Sequence, residues 1–277
     1  MRTLDGKVVV ITGAASGIGR ALALDVAGRG ALVAVSDVDE VGLAETVDRV
    51  RATSTRTVRA DRLDVADRAA VAAYATTVAE HFGRVNVIVN NAGVSLTGNV
   101  EDLAYEDLDW IVGINFWGVV HGTKEFLPHL IASGDGHVVN LSSLFGLVSM
   151  PSQSAYNATK YAVRGFSESL REEMLVAGHL VGVSVVHPGG IRTDIVRNSR
   201  MTGREDKEAT VRLFDDKLAR MTAQRAAAII VKGILANRAR VLVGLDAHAV
   251  HHLAKVLGSR YQDVVAAASK RALPPPR

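Results

Sequence analysis

Tyr156 and Lys160, four residues apart, are the side chains in this sequence best suited to moving a proton. Positions i and i+4 share one face of a helix, so the phenol and the ammonium group can enter the same cleft. An ammonium group favours the phenolate, which predicts a pKa for Tyr156 below the ordinary value of about 10. Tyr156 is therefore a candidate general acid and base, although the same spacing also arises on solvated helix surfaces.

A glycine-rich turn follows the first predicted strand and opens a helix. Its glycines have the spacing Gly-x-x-x-Gly-x-Gly over residues 13–19. Glycine permits a close approach of the backbone to a ligand, and a helix N-terminus offers free N–H groups to a pyrophosphate. A simple strand-to-helix turn needs only one glycine, so three favour a dinucleotide. The predicted cofactor contacts in this turn are Gly13, Ser16, Gly17, Ile18 and Gly19.

Asp37 closes the second predicted strand, 18 residues after Gly19. A carboxylate at this position can accept hydrogen bonds from the adenosine ribose, and its charge repels a 2′-phosphate. The turn contains no basic side chain between Gly13 and Gly19 to offset that repulsion. The sequence therefore predicts NAD in preference to NADP. Alternatively, Asp37 caps the following helix, a role that Asp39 could equally fill.

Short apolar runs alternate with helical segments along most of the chain. This alternation predicts a doubly wound parallel sheet with helices on both faces, the Rossmann-type α/β fold. In such a sheet ligands bind beyond the carboxyl ends of the strands. Strands are predicted at residues 7–12, 31–36, 57–63, 85–90, 137–142, 181–187 and 241–244, and helices at about 17–29, 40–53, 67–82, 103–132, 154–177 and 222–236.

Length and composition fit one α/β domain, since 48% of the 277 residues are hydrophobic. We predict a single domain over 1–277, with a helical substrate lid at about 190–225 and a C-terminal helical extension at about 245–277. The chain has no cysteine, which suits a reducing compartment and predicts a cytoplasmic location. Neither a signal peptide nor a membrane-spanning segment is predicted, because the apolar run 111–120 is short and contains Asn115.

Charge is distributed unevenly along the chain. Residues 1–189 carry 15 basic and 21 acidic side chains, whereas residues 190–277 carry 17 and 8. A basic segment can bind nucleic acid or an anionic surface. Here the cations are interleaved with acidic residues and do not alternate with aromatic side chains, so the pattern disfavours a nucleic-acid partner.

Taken in order, the motifs closely resemble those of the short-chain dehydrogenase/reductase family. The resemblance covers roughly residues 5–195 and rests on the glycine-rich turn, Asp37, Asp64-Val65, Asn90-Asn91-Ala92-Gly93, Asn115, Ser143, Tyr156-x-x-x-Lys160 and Pro188-Gly189. It implies a catalytic tetrad of Asn115, Ser143, Tyr156 and Lys160. The cofactor contacts that it implies are Asp64 and Val65 at the adenine, Asn91, Ala92 and Gly93 beside the sheet, Tyr156 and Lys160, and Pro188, Gly189, Ile191 and Thr193 at the nicotinamide.

Oxidation of an alcohol requires a base for the hydroxyl proton, an acceptor for the hydride and donors that hold the oxygen. Tyr156 can supply the base, or the acid in the reverse direction, and Ser143 can hydrogen-bond the substrate oxygen. The resemblance implies that Lys160 lowers the phenol pKa and binds the nicotinamide ribose, and that Asn115 anchors a water relay. The structural alternatives are a turn residue at Ser143 and a buried amide at Asn115.

The leading prediction is an oxidoreductase that transfers a hydride between NAD(H) and a small or medium, fairly apolar secondary alcohol or ketone. The expected substrate contacts are Ser143, Phe145, Gln153, Tyr156 and Ile195. The alternatives are a noncatalytic nucleotide-binding sensor or scaffold, an NADP-dependent carbonyl reductase, and a dehydratase or epimerase with a bound cofactor. An intact set of catalytic residues argues against the sensor.

The segment around and after Thr193 mixes apolar and charged residues, and we predict that it forms a mobile lid over the substrate. The alternative is an ordinary surface connector. The apolar side chains of the expected lid are Ile191, Ile195, Val196, Met201, Val211, Leu213, Phe214 and Leu218.

Two further features carry weaker expectations. His248, His251 and His252 could face one side of a helix, but Asp246 is the only acid nearby and no metal is predicted. His187 is either a substrate contact or a structural strand-end histidine.

By the family resemblance, the helices predicted at 103–132 and 154–177 pair across a two-fold axis, which implies a homodimer or a homotetramer.

Overall fold

The computed structural model of the protein describes residues 1–203, 207–214, 216 and 219–272. The helices are α1 (Gly17–Gly28), α2 (Glu40–Thr53), α3 (Arg68–Phe82), α4 (Tyr105–Val112), α5 (Gly118–Ala132), α6 (Ser154–Val176), α7 (Lys207–Leu213), α8 (Ala223–Leu235), α9 (Leu245–Leu257) and α10 (Tyr261–Ala272). The strands are β1 (Val8–Thr12), β2 (Leu32–Asp37), β3 (Val58–Arg62), β4 (Val87–Asn90), β5 (Leu96–Thr97), β6 (Gly136–Leu141), β7 (Val181–Pro188), β8 (Ile191–Arg192), β9 (Arg200–Met201), β10 (Met221–Thr222) and β11 (Arg240–Val243).

Seven parallel strands form the central sheet in the order β3-β2-β1-β4-β6-β7-β11. The chain builds the sheet outward from β1 toward β3, then returns to β4 and builds toward β11, so the order reverses between β1 and β4. This topology confirms the predicted Rossmann-type fold. All seven carboxyl ends meet at one edge, and the reversal opens a crevice there.

Both faces of the sheet are covered, so its central strands are buried throughout. Every residue of β1, β4 and β6 is buried. Leu22 of α1 and Ile230 of α8 belong to the apolar core on one face. Phe126 and Leu130 of α5 and Leu170 of α6 belong to the core on the other. Burial on two faces explains why the strands are continuous apolar runs without alternation.

Local capping sets the ends of two helices beside the crevice. The Asp39 side chain accepts a hydrogen bond from the Gly42 N–H at 3.0 Å and caps α2. Asp67 caps α3 in the same way through the Ala70 N–H, and Gly83 ends α3 in the left-handed conformation. Asp39, and not Asp37, is therefore the helix cap that the sequence left undecided.

The single helix expected over 103–132 is wrong in detail. The helix begins at Tyr105 and is divided into α4 and α5 by a π-helical segment, Gly113–Trp117. A π turn holds one more residue than an α turn and shifts the side chains that follow. Asn115 lies fully buried within it and hydrogen-bonds both backbone groups of Val94, which fixes where the segment sits.

One short parallel strand pair, β9 with β5, ties the segment expected to form the lid to the body of the protein. A second pair, β10 with β8, joins the two ends of the segment to each other. The Arg200 guanidinium also stacks on the Trp110 ring at 3.9 Å and forms an ion pair with Asp107 at 2.9 Å. Leu218 of the expected lid lies outside the described residues, and mobility of this segment stays a prediction.

The expected C-terminal helical extension consists of α9 and α10, and residues 273–277 lie outside the described part. Among the helices of the described residues, none has the combination of length and apolar character needed to cross a bilayer.

Phe126→Ala is expected to lower the free energy of unfolding by about 3–5 kcal/mol, because it leaves a cavity in the core beneath α5. Phe126 is fully buried, and its ring meets the Tyr74 ring edge to face at a centroid distance of 5.9 Å. Chemical denaturation of both proteins measures the loss. Tyr105→Ala serves as the control, since Tyr105 is 81% exposed, and a comparable loss there would contradict the assignment.

Candidate active site

A carboxamide joins the carboxyl ends of β1 and β4 at the crevice. The Asn91 Nδ2 donates to the carbonyl oxygens of Thr12 and Gly13, both at 2.9 Å. The Thr12 hydroxyl in turn accepts the N–H groups of Asn91 and Ala92, both at 3.1 Å. The Asn91 amide, expected to contact the cofactor, is thus engaged with the backbone of the glycine-rich turn and fixes its position.

The glycine-rich turn is too tightly built to hold side chains at its first and last glycines. A Cβ on Gly13 would lie 2.6 Å from the Ala92 Cα, and one on Gly19 would lie 2.1 Å from the Gly13 oxygen. Ser16 precedes α1 without a capping hydrogen bond from its side chain. The first N–H groups of α1 therefore have no side-chain cap, which suits binding of a pyrophosphate.

Asp37 lies at the end of β2, next to the glycine-rich turn. Its Oδ2 accepts the Ala15 N–H at 2.9 Å and its Oδ1 accepts the Asp39 N–H at 3.1 Å. The nearby cations are directed elsewhere: Arg20 binds the Ala15 oxygen and Glu45, and Arg62 lies 3.5 Å from Glu40. The carboxylate of Asp37 is half-buried and retains lone pairs for a further donor.

The other residues expected at the cofactor lie along the same edge. Asp64 follows β3 and accepts the Ala66 N–H at 2.9 Å, and Val65 is buried beside it, its carbonyl oxygen 3.1 Å from the His121 Nδ1. Gly93 faces Asn115 and Lys160, since a Cβ there would lie 3.2 Å from the Asn115 Oδ1 and 3.4 Å from the Lys160 Nζ.

The loop after β7 contacts both the glycine-rich turn and the C-terminal extension. The Thr193 methyl group lies 3.1 Å from where a Cβ on Gly17 would be. The Gly190 N–H donates to the Asp246 Oδ2 at 2.7 Å, and a Cβ on Gly189 would lie 2.1 Å from the same oxygen. Pro188 ends β7, and Ile191 is buried in β8. Asp246 of α9 therefore fixes the loop that was expected to line the nicotinamide.

α6 brings Tyr156 and Lys160 into one buried cleft, as their spacing predicts. The Lys160 Nζ lies 5.6 Å from the centre of the Tyr156 ring and donates to the Leu141 oxygen at 3.1 Å. The Phe145 ring meets the Tyr156 ring edge to face at 6.1 Å. Ser143 follows β6, and its side chain hydrogen-bonds the phenol.

Burial dominates the proton affinities of this cleft. It raises the pKa of Tyr156 above its ordinary value of 10, and the hydrogen bond with Ser143 opposes that rise. Burial also lowers the pKa of Lys160 from 10.5 to about 8. The sequence-based expectation of a lowered phenol pKa is therefore wrong for this structure, because removal of solvent penalises the phenolate more than its neighbours stabilise it.

Asn115 has its side chain fully engaged. Its Oδ1 accepts the Val94 N–H at 2.8 Å, and its Nδ2 donates to the Val94 oxygen at 2.9 Å and to the Thr159 hydroxyl at 3.3 Å. The Thr159 hydroxyl donates to the Tyr156 carbonyl at 2.8 Å. The Asn115 side chain thus links the segment after β4 to the turn of α6 that carries Tyr156.

The expected substrate contacts are only partly brought together. Phe145 and Tyr156 belong to an apolar cluster, whereas Gln153 turns toward β5 and donates to the Thr97 hydroxyl at 2.8 Å. Ile195 is half-buried in the turn after β8 and is not part of that cluster. The other members of the cluster are Val94, Leu96, Leu103, Leu108, Trp110, Ile111, Val112 and Ala155.

Sequence reasoning missed several residues that support the site. Thr12 ends the buried strand β1, and a polar residue at that position was the available signal. Asp246 and Tyr261 gave no such signal, because each contacts a loop distant in sequence. The Tyr261 hydroxyl accepts the Ser149 N–H at 3.2 Å and so holds the loop after Ser143. In the part of the chain that the structure describes, no group of three or more His, Asp or Glu side chains could hold a metal ion.

A sequence profile of the family described as short chain dehydrogenase matches residues 7–203. The chain belongs to the short-chain dehydrogenase family. This short-chain dehydrogenase is 53% identical over 274 residues to a Mycobacterium tuberculosis protein that carries the designation oxidoreductase SadH, with 99% of each chain covered. It is 34% identical over 202 residues to the 3-oxoacyl-[acyl-carrier-protein] reductase FabG of Thermotoga maritima, covering 73% of this chain and 81% of that one.

Solved structures of the family agree with this fold. A short-chain dehydrogenase/reductase from Burkholderia phymatum in complex with NAD superposes with a TM-score of 0.84 at 34% identity, covering 95% of this chain and 96% of that one. Levodione reductase superposes with a TM-score of 0.77 at 30% identity, covering 89% and 98%. The family and the NAD complex support a nicotinamide cofactor. The glycine-rich turn of this short-chain dehydrogenase fits that group by its tightly packed glycines and by the helix N-terminus that no side chain caps.

Lys160→Met is expected to raise the thermal stability of the cofactor-free protein at pH 7. Because the pKa of Lys160 is lower in the native state, the unfolded chain binds more protons between about pH 8 and pH 10.5, and wild-type stability rises across that window. Removing the buried ammonium group should stabilise the protein by about 1–3 kcal/mol at pH 7, and the gain should shrink toward pH 10.5.

Thermal denaturation of the two proteins from pH 7 to pH 10 measures this difference. Lys124→Met, on the exposed surface of α5, provides the matched control and should show no such pH-dependent gain. A lower melting temperature for Lys160→Met at pH 7 would contradict the inference.

Proposed function

We propose that this oxidoreductase transfers a hydride between NAD(H) and a small or medium, fairly apolar secondary alcohol or ketone, with Tyr156 as the general acid and base. The observation that carries the proposal is the convergence of Tyr156, Ser143 and Lys160 in one buried cleft at the carboxyl edge of the sheet. A sensor or scaffold requires no such arrangement, so this convergence favours an enzyme over that alternative.

The proton chemistry follows from the contacts of the phenol. In alcohol oxidation, Tyr156 accepts the hydroxyl proton while the Ser143 hydroxyl donates to the oxygen that gains charge. Lys160, held at the Leu141 carbonyl, supplies a positive charge behind the phenol and a donor for a ribose hydroxyl. A bound nicotinamide ring supplies the hydride acceptor, or the donor in the reverse direction. Asn115 supports α6 through Thr159, so that the phenol keeps its position.

The preference for NAD rests on Asp37. Its carboxylate sits beside the glycine-rich turn, while Arg20 and Arg62 are paired with Glu45 and Glu40. The 2′-phosphate of NADP would be repelled by the Asp37 carboxylate, and the neighbouring Arg20 and Arg62 are already paired with glutamates. This arrangement disfavours NADP. The NADP-dependent carbonyl reductase is therefore the less favoured alternative.

The proposed substrate class rests on the apolar lining next to the phenol. Phe145 meets the Tyr156 ring edge to face, and Val94 is a second partly buried apolar member of the cluster that contains Tyr156. Such a wall favours an aliphatic or aromatic substituent on the carbinol carbon over a charged one. We propose that the segment 190–225, tied down through β9, covers the open side of this cleft as a lid.

A dehydratase or epimerase of this fold would give no net formation of NADH. Steady-state absorbance of NADH therefore distinguishes these alternatives from a dehydrogenase.

Exposed apolar side chains on the helices beside the cleft favour assembly. Trp117 is 49% exposed in the π segment, and Leu175 and Val176 are 67% and 90% exposed at the end of α6. We propose a homodimer or homotetramer that covers them, built from single domains spanning 1–277.

The absence of cysteine favours a cytoplasmic location for the protein. The proposed partners are small-molecule substrates, without nucleic acid.

Tyr156→Phe is expected to lower turnover by about 10²–10⁴-fold, because proton transfer is lost while the packing of the ring remains. Steady-state oxidation of a panel of secondary alcohols, followed by NADH absorbance, measures the loss. NAD affinity should change little. Tyr161→Phe, one residue after Lys160 on the same helix, is the control and should retain near wild-type turnover. Comparable turnover in Tyr156→Phe and wild type would remove Tyr156 from the mechanism.

Asp37→Ala is expected to narrow the preference for NAD over NADP by about ten- to a hundredfold, since it removes both the ribose acceptor and the repelling charge. The ratio of kcat/KM values for the two cofactors measures this. Asp39→Ala removes an equal charge two residues away and should weaken the α2 cap without changing the ratio. Equal efficiencies with both cofactors in the wild type would show that Asp37 does not select the cofactor.

A further inference from the structure

His187 contacts the catalytic serine through its main chain. The residue is fully buried in β7, directly before Pro188, and its Nδ1 lies 2.8 Å from the Ser143 carbonyl oxygen. A carbonyl oxygen only accepts hydrogen bonds, so the imidazole donates from Nδ1 and its tautomer is fixed. This is a contact between the ends of two neighbouring strands, β6 and β7, just where the cleft begins.

The surroundings of His187 hold it in the neutral form. Burial lowers its pKa to about 4, against the opposing effect of the hydrogen bond to the Ser143 carbonyl. Arg240 of β11 and Arg164 of α6 also lower this pKa, whereas Glu168 of α6 raises it. Arg240 and Glu168 form an ion pair. The imidazole is therefore uncharged throughout the neutral and alkaline range, and the donor to Ser143 does not titrate. Within the described residues, its Nε2 has no hydrogen-bond partner.

Ser143 is held on two sides. Its carbonyl accepts from His187, and its Oγ accepts the Phe145 N–H at 3.1 Å. Its hydroxyl also hydrogen-bonds the Tyr156 phenol and opposes the effect of burial there. A shift of the Ser143 main chain therefore changes the direction of a side chain that stabilises the phenolate.

We propose that His187 is a positioning residue that aims the Ser143 hydroxyl at Tyr156 and thereby sets the pH range over which the enzyme oxidises alcohols. This inference rests on the proposed function, because it concerns the same proton transfer. The groups that face the phenol are Ser143, Lys160 and the Phe145 ring, and the groups that face the imidazole are Arg164, Glu168 and Arg240. Ser143 interacts with both residues.

Three substitutions separate positioning from packing. His187→Leu fills similar volume but leaves the Ser143 carbonyl without its donor. His187→Asn keeps an N–H close to the position of Nδ1. His187→Gln has a comparable polar group one carbon farther out, near the position of Nε2. Positioning through Nδ1 therefore predicts rescue by asparagine and weaker rescue by glutamine, an order that side-chain volume alone does not predict.

The kinetic test is the pH profile of kcat/KM for alcohol oxidation between pH 6 and pH 10. In His187→Leu, the rising limb should move to higher pH by about one unit, the size expected when a hydrogen bond to the ionised form is weakened. The wild-type profile should return in His187→Asn, and NAD affinity, measured by titration of the free enzyme, should stay within about twofold. Ser143→Ala should show the same alkaline shift, and Ser143→Ala with His187→Leu should show no further one.

Amide hydrogen exchange provides a readout without cofactor or substrate. The Phe145 N–H should exchange faster in His187→Leu, because its acceptor on Ser143 is displaced, and should be protected again in His187→Asn. His137→Leu is the matched control: His137 is a buried strand histidine of β6 that bonds Ser184 at 2.9 Å. It should lower the melting temperature without moving the pH profile.

Two outcomes overturn the proposal. One is a wild-type pH profile and wild-type exchange at Phe145 in a folded His187→Leu protein. The other is an alkaline shift that adds fully to that of Ser143→Ala, since the effect would then not pass through Ser143. Failure of the proposed function looks different, because the wild-type enzyme itself would then show no NAD-linked oxidation.

Discussion

The Asn91 carboxamide, with its two hydrogen bonds to the ends of β1, is the contact on which the arrangement of this site depends. The strand order reverses between β1 and β4, and at that point the Asn91 side chain and the Thr12 hydroxyl both join the two halves of the sheet by hydrogen bonds. By binding the Thr12 and Gly13 oxygens, Asn91 sets the glycine-rich turn against the segment that carries Gly93. Gly93 in turn faces Asn115 and Lys160, so Asn91 fixes the glycine-rich turn relative to the residues proposed to be catalytic.

The catalytic cleft combines this rigid frame with an unfavourable charge. Lys160 is buried beside Tyr156 with a backbone carbonyl as its acceptor, and burial acts on both residues in the direction that reduces ionisation. The frame keeps the ammonium group where chemistry requires it, although solvation would favour its removal. Stability and reactivity are therefore opposed at one side chain, as is common where proteins place charge in a dry site.

The sequence predicted where the candidate site residues lie better than it predicted their pKa values. The doubly wound parallel sheet, the glycine-rich turn and the helix that carries Tyr156 and Lys160 follow from apolar runs and spacing, and the structure has each of them. The π segment was not foreseeable, because the residues around Asn115 read as a continuous helix and the segment is fixed by a contact with Val94. The prediction of a lowered Tyr156 pKa was wrong for a related reason. Residue spacing shows that Lys160 is near the phenol, but it does not show how completely the phenol is shielded from solvent. The bonds of His187 to Ser143 and of Asp246 to Gly190 join residues 44 and 56 positions apart, and no local pattern encodes them.

The extension formed by α9 and α10 lies beyond the residues that match the family profile, yet it is bonded to both loops that border the cleft. Asp246 binds the loop after β7, and Tyr261 binds the loop after Ser143. Docking of the extension and ordering of these loops are therefore thermodynamically linked quantities, and the linkage is reciprocal. If docking of the extension stabilises the ordered form of the two loops by a given free energy, ordering of the loops stabilises the docked extension by the same amount. A ligand that orders the two loops therefore also stabilises the docking of α9 and α10. The sequence motifs that resemble the family give no indication of this link.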